Sequence, residues 1–202
     1  MEGGLAASAG EEEWLEGDCA SVREFDRIVP MPPSDQIVPY RVCFVCAGNI
    51  CRSPMAEAVF RARVEKAGLT PWVSVTSAGT GDWHVGEQAD ARTLDALAAR
   101  GYDAGWHRAK QFDSAWFPQL DLVVALDRGH ERALRDWAPT PADADKVSLL
   151  MSFDTTYPGI LDVPDPYYAD ARTFDRVLGM IEGASLALFR QLEPAIRQGA
   201  LR

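Results

Sequence analysis

Tyr40-Arg41-Val42-Cys43-Phe44-Val45-Cys46-Ala47-Gly48-Asn49-Ile50-Cys51-Arg52-Ser53-Pro54 is the stretch that decides the fold. Its first half, Tyr40 to Val45, is a short apolar run with the β-branched and aromatic content of a buried strand. Its end, Ser53-Pro54, reads as an N-cap and first helical position, opening a helix that runs to about Ala67 and is stopped by Gly68. Between them, five residues separate Cys46 from Arg52. Such a loop can curl until its N–H groups aim at one centre, and the following helix adds the positive end of its dipole. A tetrahedral dianion fits there, with a thiolate at its base and a guanidinium able to hold two of its oxygens. Ala47, Gly48, Asn49, Ile50 and Cys51 are then anion-binding residues. Gly48 and Asn49 suit a curl that needs positive φ.

Outward from this loop, strand-like and helix-like segments alternate. Strands are expected over Trp72 to Ala78, Asp121 to Leu126 and Val147 to Leu149, with helices over Asp90 to Arg100 and about Arg128 to Trp137. A long final helix is expected from about Ala171 to Arg197, with Pro194 a weak point near its end. The pattern predicts an α/β fold: one three-layer domain, a four-stranded parallel sheet with helices on both faces, and the phosphate-binding loop after the first strand. In such sheets ligands sit beyond the carboxyl ends of the strands, where Cys46 falls.

The chain has 202 residues and a net charge of −10. Residues 1–39 hold nine acids against Arg23 and Arg27, so −7 of that charge lies in this segment and −3 in the remainder. With Gly3-Gly4, Gly10 and Pro30, Pro32 and Pro33, the segment reads as a disordered acidic extension of a domain spanning residues 40–202. Val22, Phe25 and Val29 leave a short amphipathic helix as the alternative. No basic tract suggests nucleic acid or an anionic membrane surface, and no apolar run reaches the roughly 18 residues of a bilayer span. Residues 1–39 show no secretory signal, so a cytoplasmic protein is expected. Nothing in the sequence fixes an oligomeric state.

Four cysteines, at 19, 43, 46 and 51, crowd the first quarter of the chain, which fits a reducing compartment better than a disulfide scaffold. His84, His107 and His130 are scattered and Cys46 to Cys51 has no second ligand pair, so no metal site or cofactor is expected. Cys43, inside the strand, reads as core.

Beyond the loop, Cys46 to Phe60 (CAGNICRSPMAEAVF), Ser77 to Trp83 (SAGTGDW), His107 to Gln111 (HRAKQ) and Asp165-Pro166-Tyr167-Tyr168 occur in an order that resembles the low-molecular-weight protein tyrosine phosphatases. The resemblance spans about Arg41 to Arg197. It implies a metal-independent phosphatase acting on phosphotyrosine proteins through a phosphocysteine, with a tyrosine kinase and its substrates as partners. Cys46 is the implied nucleophile, Arg52 the clamp and Asp165 the general acid. An unperturbed thiol, with a pKa near ~8.5, is mostly protonated at neutral pH, and Ser53 is placed to help the thiolate. The resemblance also implies that Ser77 and His107 tie down Asn49; as sequence alone they read equally as core polar residues.

Pro166 keeps Asp165 extended, able to lean over the pocket, whereas Asp162 and Asp170 read as solvated charges. Trp83, Tyr167 and Tyr168 can wall a pocket deep enough for phosphotyrosine and too deep for phosphoserine; the other reading of these rings is core packing. Tyr167 and Tyr168 are themselves possible kinase targets by the same resemblance. Cys51 can capture an oxidised Cys46 as a disulfide. Arginine phosphatases carry Thr where Ile50 stands, and Ile50 is instead expected to offer an apolar surface to a phenyl ring, which favours phosphotyrosine. Arsenate reductases of this fold need cysteines beyond position 51, which are absent here. A non-catalytic phosphate-binding module is the remaining alternative, and the joint presence of Cys46, Arg52 and Asp165 argues against it.

Overall fold

The computed structural model describes Met1 and residues 39–199. The expectations for the acidic extension, its Ser21 to Val29 helix and Cys19 lie outside those residues. Four strands, β1 (Tyr40–Cys46), β2 (Val73–Gly79), β3 (Leu122–Ala125) and β4 (Val147–Leu149), form one sheet in the order β2-β1-β3-β4. Every pairing is parallel, with Cys46 opposite Gly79 and Val45 opposite both Ala78 and Ala125. The helices are α1 (Arg52–Lys66), α2 (Ala91–Ala99), α3 (Arg128–Trp137), α4 (Pro141–Ala144) and α5 (Ala171–Arg197).

The alternation of strand side chains splits β1 between two cores. Val42, Phe44 and Cys46 join Met55, Val59 and Phe60 of α1, Leu97 of α2, and Phe174, Leu178 and Ile181 of α5 on one face. Cys43 and Val45 join Val123, Ala125, Phe117 and Leu134 of α3 on the other. Phe44 and Phe60 are fully buried with ring centroids 5.5 Å apart, and Phe189 stacks edge-on behind them at 6.0 Å. A central strand covered on both faces explains the unbroken apolar run that carries it.

One expectation is corrected at the first helix. Ser53 is not the N-cap: α1 begins at Arg52, Cys51 is the cap residue, and no side chain caps it. The Ser53 hydroxyl instead faces Cys46 Sγ, the Asn49 amide and the Ala78 carbonyl, so it is unavailable to the helix end. Elsewhere the caps follow the usual chemistry, with Asp90, Asp127 and Asp170 accepting from backbone N–H groups of α2, α3 and α5. Gly68 closes α1 at φ 68°. Helix α5 runs through Pro194 to Arg197. The sequence reading missed α4 and two 3₁₀ turns, Ser114–Gln119 and Leu150–Phe153, which are too short to show a hydrophobic period.

Candidate active site

The loop after β1 is shaped by what holds its carbonyls. Thr80 N–H donates to Cys46 O (2.8 Å), Gly81 N–H to Ala47 O (2.9 Å) and Asp90 N–H to Ile50 O (2.9 Å), while His107 Nε2 bonds Asn49 O (2.8 Å). In a trans peptide the carbonyl and the next N–H point in opposite directions. Carbonyls drawn outward therefore turn the N–H groups of Ala47, Gly48, Ile50 and Cys51 inward, the arrangement an anion needs.

Asn49 is the pin of this loop. It is fully buried with φ 56°, the one non-glycine residue at positive φ among those described. Its Nδ2 donates to Ser53 Oγ (2.8 Å) and Ser77 Oγ (2.9 Å), and its Oδ1 accepts from Lys110 N–H (2.9 Å). Ser77 in turn donates to Glu57 Oε2 (2.6 Å). Ser53 Oγ lies 3.0 Å from Cys46 Sγ, so with sulfur as a thiolate the serine is the donor. Burial pushes the Glu57 carboxyl up, against the Ser77 bond and the Arg61 charge. Burial likewise pushes His107 down, assisted by the Lys110 and Arg108 charges and opposed by the bond to Asn49 O.

Arg52 is buried at the start of α1. Its Nη1 donates to Asp127 Oδ2 (2.8 Å) and Val163 O (3.0 Å), and its Nη2 to Asp165 Oδ2 (2.8 Å). Burial opposes charge on Asp127, but His130, through ring and backbone N–H, and Arg52 outweigh it and hold that carboxyl well below the usual range. Over the loop opens a cleft of about 400 Å³ lined by Cys46, Ala47, Gly48, Cys51, Arg52, Trp83, His84, Asp165, Tyr167 and Tyr168. Trp83 is 68% exposed and Tyr168 97%, which assigns both to the mouth and not the core. Tyr167 meets Tyr168 edge-on at 4.8 Å and His84 at 6.1 Å.

Residues 41–198 match the family model described as low molecular weight phosphotyrosine protein phosphatase. The chain belongs to that family. It is 62% identical over 150 residues to a low molecular weight protein-tyrosine-phosphatase of Streptomyces coelicolor, covering 74% of this chain and 91% of the relative. It is 48% identical to low molecular weight protein-tyrosine phosphatase A of Mycobacterium tuberculosis, covering 72% and 87%. Among solved structures, a protein tyrosine phosphatase from Entamoeba histolytica with Hepes in its active site superposes with a TM-score of 0.73 at 35% identity, covering 77% of this chain and 98% of that one. The activity of the chain is that of a protein tyrosine phosphatase.

Within this phosphatase, most of the expected site residues converge. Cys46, Arg52, Asp165, Trp83, Tyr167 and Tyr168 share the cleft, and Ser77 and His107 both reach Asn49. Asp162 is occupied by a bidentate pair with Arg128, and Asp170 caps α5. Burial pushes the thiols of Cys43 and Cys51 up to about 12, leaving neither as a ready thiolate.

Two expectations are corrected. Ile50 does not face the cleft: its side chain is 7% exposed and packs in the α1/α5 core, so it offers no apolar wall to a substrate ring. Gly48 is not at positive φ; the reason for glycine is space, since a Cβ there would lie 2.9 Å from His84 Cδ2. Gly79 is tight against backbone, where a Cβ would stand 2.6 Å from Ala47 O.

Sequence reasoning missed Glu57, His84, Asp127 and Arg92. Asp127 carried a usable signal, because it follows β3 at the carboxyl edge of the sheet, beside Cys46. His84 follows Trp83 directly. Glu57 sits one turn beyond Ser53 on α1, where a carboxylate ordinarily reads as a solvated face.

Proposed function

We propose that this phosphatase hydrolyses phosphotyrosine with Cys46 as nucleophile, Arg52 as transition-state clamp and Asp165 as general acid and then base. The observation that carries the reading is the meeting of these three groups, from three distant parts of the chain, beneath an aromatic rim in one cleft. The Cys46 thiolate attacks phosphorus. As the S–P bond forms and the P–O bond breaks, Asp165 hands its proton to the departing phenol oxygen, which is otherwise a poor leaving group. Water then attacks phosphorus and gives a proton to Asp165, the S–P bond breaks, and phosphate leaves a regenerated thiolate.

Charge on the phosphoryl oxygens is met by Arg52 and the inward N–H groups, so the steps need no metal. Incoming phosphate competes with Asp165 for Nη2 of Arg52, and the freed carboxyl turns toward the leaving oxygen. Asp127 and the Val163 carbonyl keep the guanidinium aimed meanwhile. Trp83, Tyr167 and Tyr168 line the entrance, and a phosphotyrosine ring reaches from that rim to the thiolate where the shorter phosphoserine does not.

The substrates are cytoplasmic proteins phosphorylated by a tyrosine kinase, the kinase itself included. Among the described residues no helix is long and apolar enough to cross a membrane. Residues 1–39 are read as an acidic extension to the catalytic domain. The test is hydrolysis of phosphotyrosine, phosphoserine and phosphoarginine peptides side by side in chelator. Phosphotyrosine should be cleaved preferentially by the parent, with Cys46→Ser reduced by more than about 10⁴-fold. Full loss of activity in chelator, or preference for phosphoarginine, would overturn the reading.

A further inference from the structure

We propose that Arg92 is a positioning residue for the general acid, joining the segment that carries Asp165 to the loop that carries Cys46; the inference rests on the role of Asp165 argued above. The sequence Asp90-Ala91-Arg92 opens α2. Asp90 accepts from Arg92 N–H (2.9 Å), and the same carboxylate takes two side-chain bonds, from Nε (2.9 Å) and Nη2 (2.8 Å). That grip fixes the plane of the guanidinium. Asp90 is itself fixed to the catalytic loop, because its backbone N–H donates to Ile50 O (2.9 Å).

The other edge of the guanidinium faces the acid segment. Nη2 donates to Tyr167 O (2.9 Å) and Nη1 to Ala169 O (3.1 Å). The carbon of the guanidinium lies 4.5 Å from the ring centre of buried Phe174, in the first turn of α5, and 6.0 Å from that of Tyr167. One side chain thus ties the carboxyl end of the acid segment to α2, and through Asp90 to the loop around the phosphate. The other ties at this end are local or apolar: Pro166 is buried, Tyr167 packs against the core, Asp170 caps α5, and the backbone closes a single turn, Ala169 N–H to Pro166 O (2.8 Å).

The link reaches the reacting proton by one more step. Asp165 Oδ1 accepts from Tyr167 N–H (3.1 Å), so the carboxyl is oriented by the backbone that Arg92 holds. General acid catalysis is sensitive to such placement, since a shift of about 1 Å in a reacting group can cost on the order of a hundredfold in rate. Lysine cannot stand in for this geometry: a single ammonium cannot serve a carboxylate on one edge and two carbonyls on the other.

The prediction separates acid placement from general damage. A phenol that leaves readily needs no proton, so misplacing Asp165 harms only substrates with a poor leaving group. The full chain is compared as parent, Arg92→Gln, Arg92→Lys and Asp165→Asn, using kcat/KM for phenyl phosphate and for 2,4-dinitrophenyl phosphate. Arg92→Gln should lose about 10- to 100-fold on phenyl phosphate and less than about threefold on the dinitrophenyl ester, with Arg92→Lys changed in the same sense. Thermal unfolding monitors folding, and Arg92→Lys carries the test if the glutamine variant is unfolded.

Equal losses on both esters, or none on either, overturn the positioning role while Asp165→Asn still shows the leaving-group signature. If Asp165→Asn shows no such signature, the assignment of the acid itself is wrong, and the role of Arg92 falls with it.

Discussion

The loop of Cys46 to Ser53 and the segment of Asp162 to Asp170 hold the two halves of the proposed reaction and are built in opposite ways. In the first, Cys46, Asn49, Ile50, Cys51, Arg52 and Ser53 are all buried, and Asn49 alone makes four hydrogen bonds through its side chain and carbonyl. In the second, Asp165 is half exposed and Tyr168 almost wholly so, with Arg52 and Val163 at one end and Arg92 at the other. A fixed anion site needs saturation, because one missing partner in a buried network leaves a polar group stranded. An acid that must exchange Arg52 for a leaving oxygen needs few ties, well placed. The contrast assigns rigidity to the half that binds charge and mobility to the half that moves a proton.

Breaking the mobile half should have the larger kinetic effect and the smaller thermodynamic one. Asp165→Ala should lower kcat by about 10²- to 10³-fold with little change in KM or melting temperature, measured by steady-state kinetics and thermal unfolding. Breaking the rigid half should do both. Asn49→Ala strands Ser77, Lys110 N–H and a residue at positive φ, so it should destabilise the fold by about 2 kcal/mol and reduce kcat/KM by about tenfold. An unchanged melting temperature for Asn49→Ala would erase the comparison.

A third measurement sharpens it within the rigid half. Peroxide should convert Cys46 to a sulfenic acid, which condenses with the Cys51 thiol, losing water to form a disulfide that thiol reductant reopens. Activity recovered after peroxide and reductant should be lower in Cys51→Ser than in the parent; equal recovery would dismiss Cys51 as the capturing group. The smallest effect concerns His107. Its folded value lies below the ordinary 6.5, so the unfolded chain takes the proton more readily. That stability is present above about 6.5 and is lost as pH falls through 6.5 toward the folded value. Between pH 7 and 5 the parent should lose stability that His107→Asn does not lose, read from denaturant midpoints.

Much of the molecule was legible because local and global signals agree along it. The apolar run of β1, the break at Gly68 and the helical spans beginning at Asp90 and about Ala171 each point to the element found. Asp165 and the three aromatic rings were recognisable by motif. What escaped were residues whose meaning comes from neighbours far along the chain. Glu57 is a helix carboxylate until β2 brings Ser77 against it, and Arg92 is a surface arginine until Tyr167 and Ala169 arrive some 75 residues later. Ile50 misled for the complementary reason: a loop residue beside a phosphate site invites a ligand-facing reading, but its side chain is buried in the core shared by β1, α1, α2 and α5.

The reach of Arg52 across 111 residues to Val163 has a consequence in time as well as space. A chain emerging from the ribosome at about 5 to 20 residues per second carries Cys46 for roughly 6 to 24 s before Asp165 is made. The central strand must also wait for β3, and the closing helix α5 comes last. Sites stitched from such distant segments form late in folding, since the closure entropy of long loops is met before their contacts exist. On the proposed mechanism, catalysis therefore requires completion of the domain.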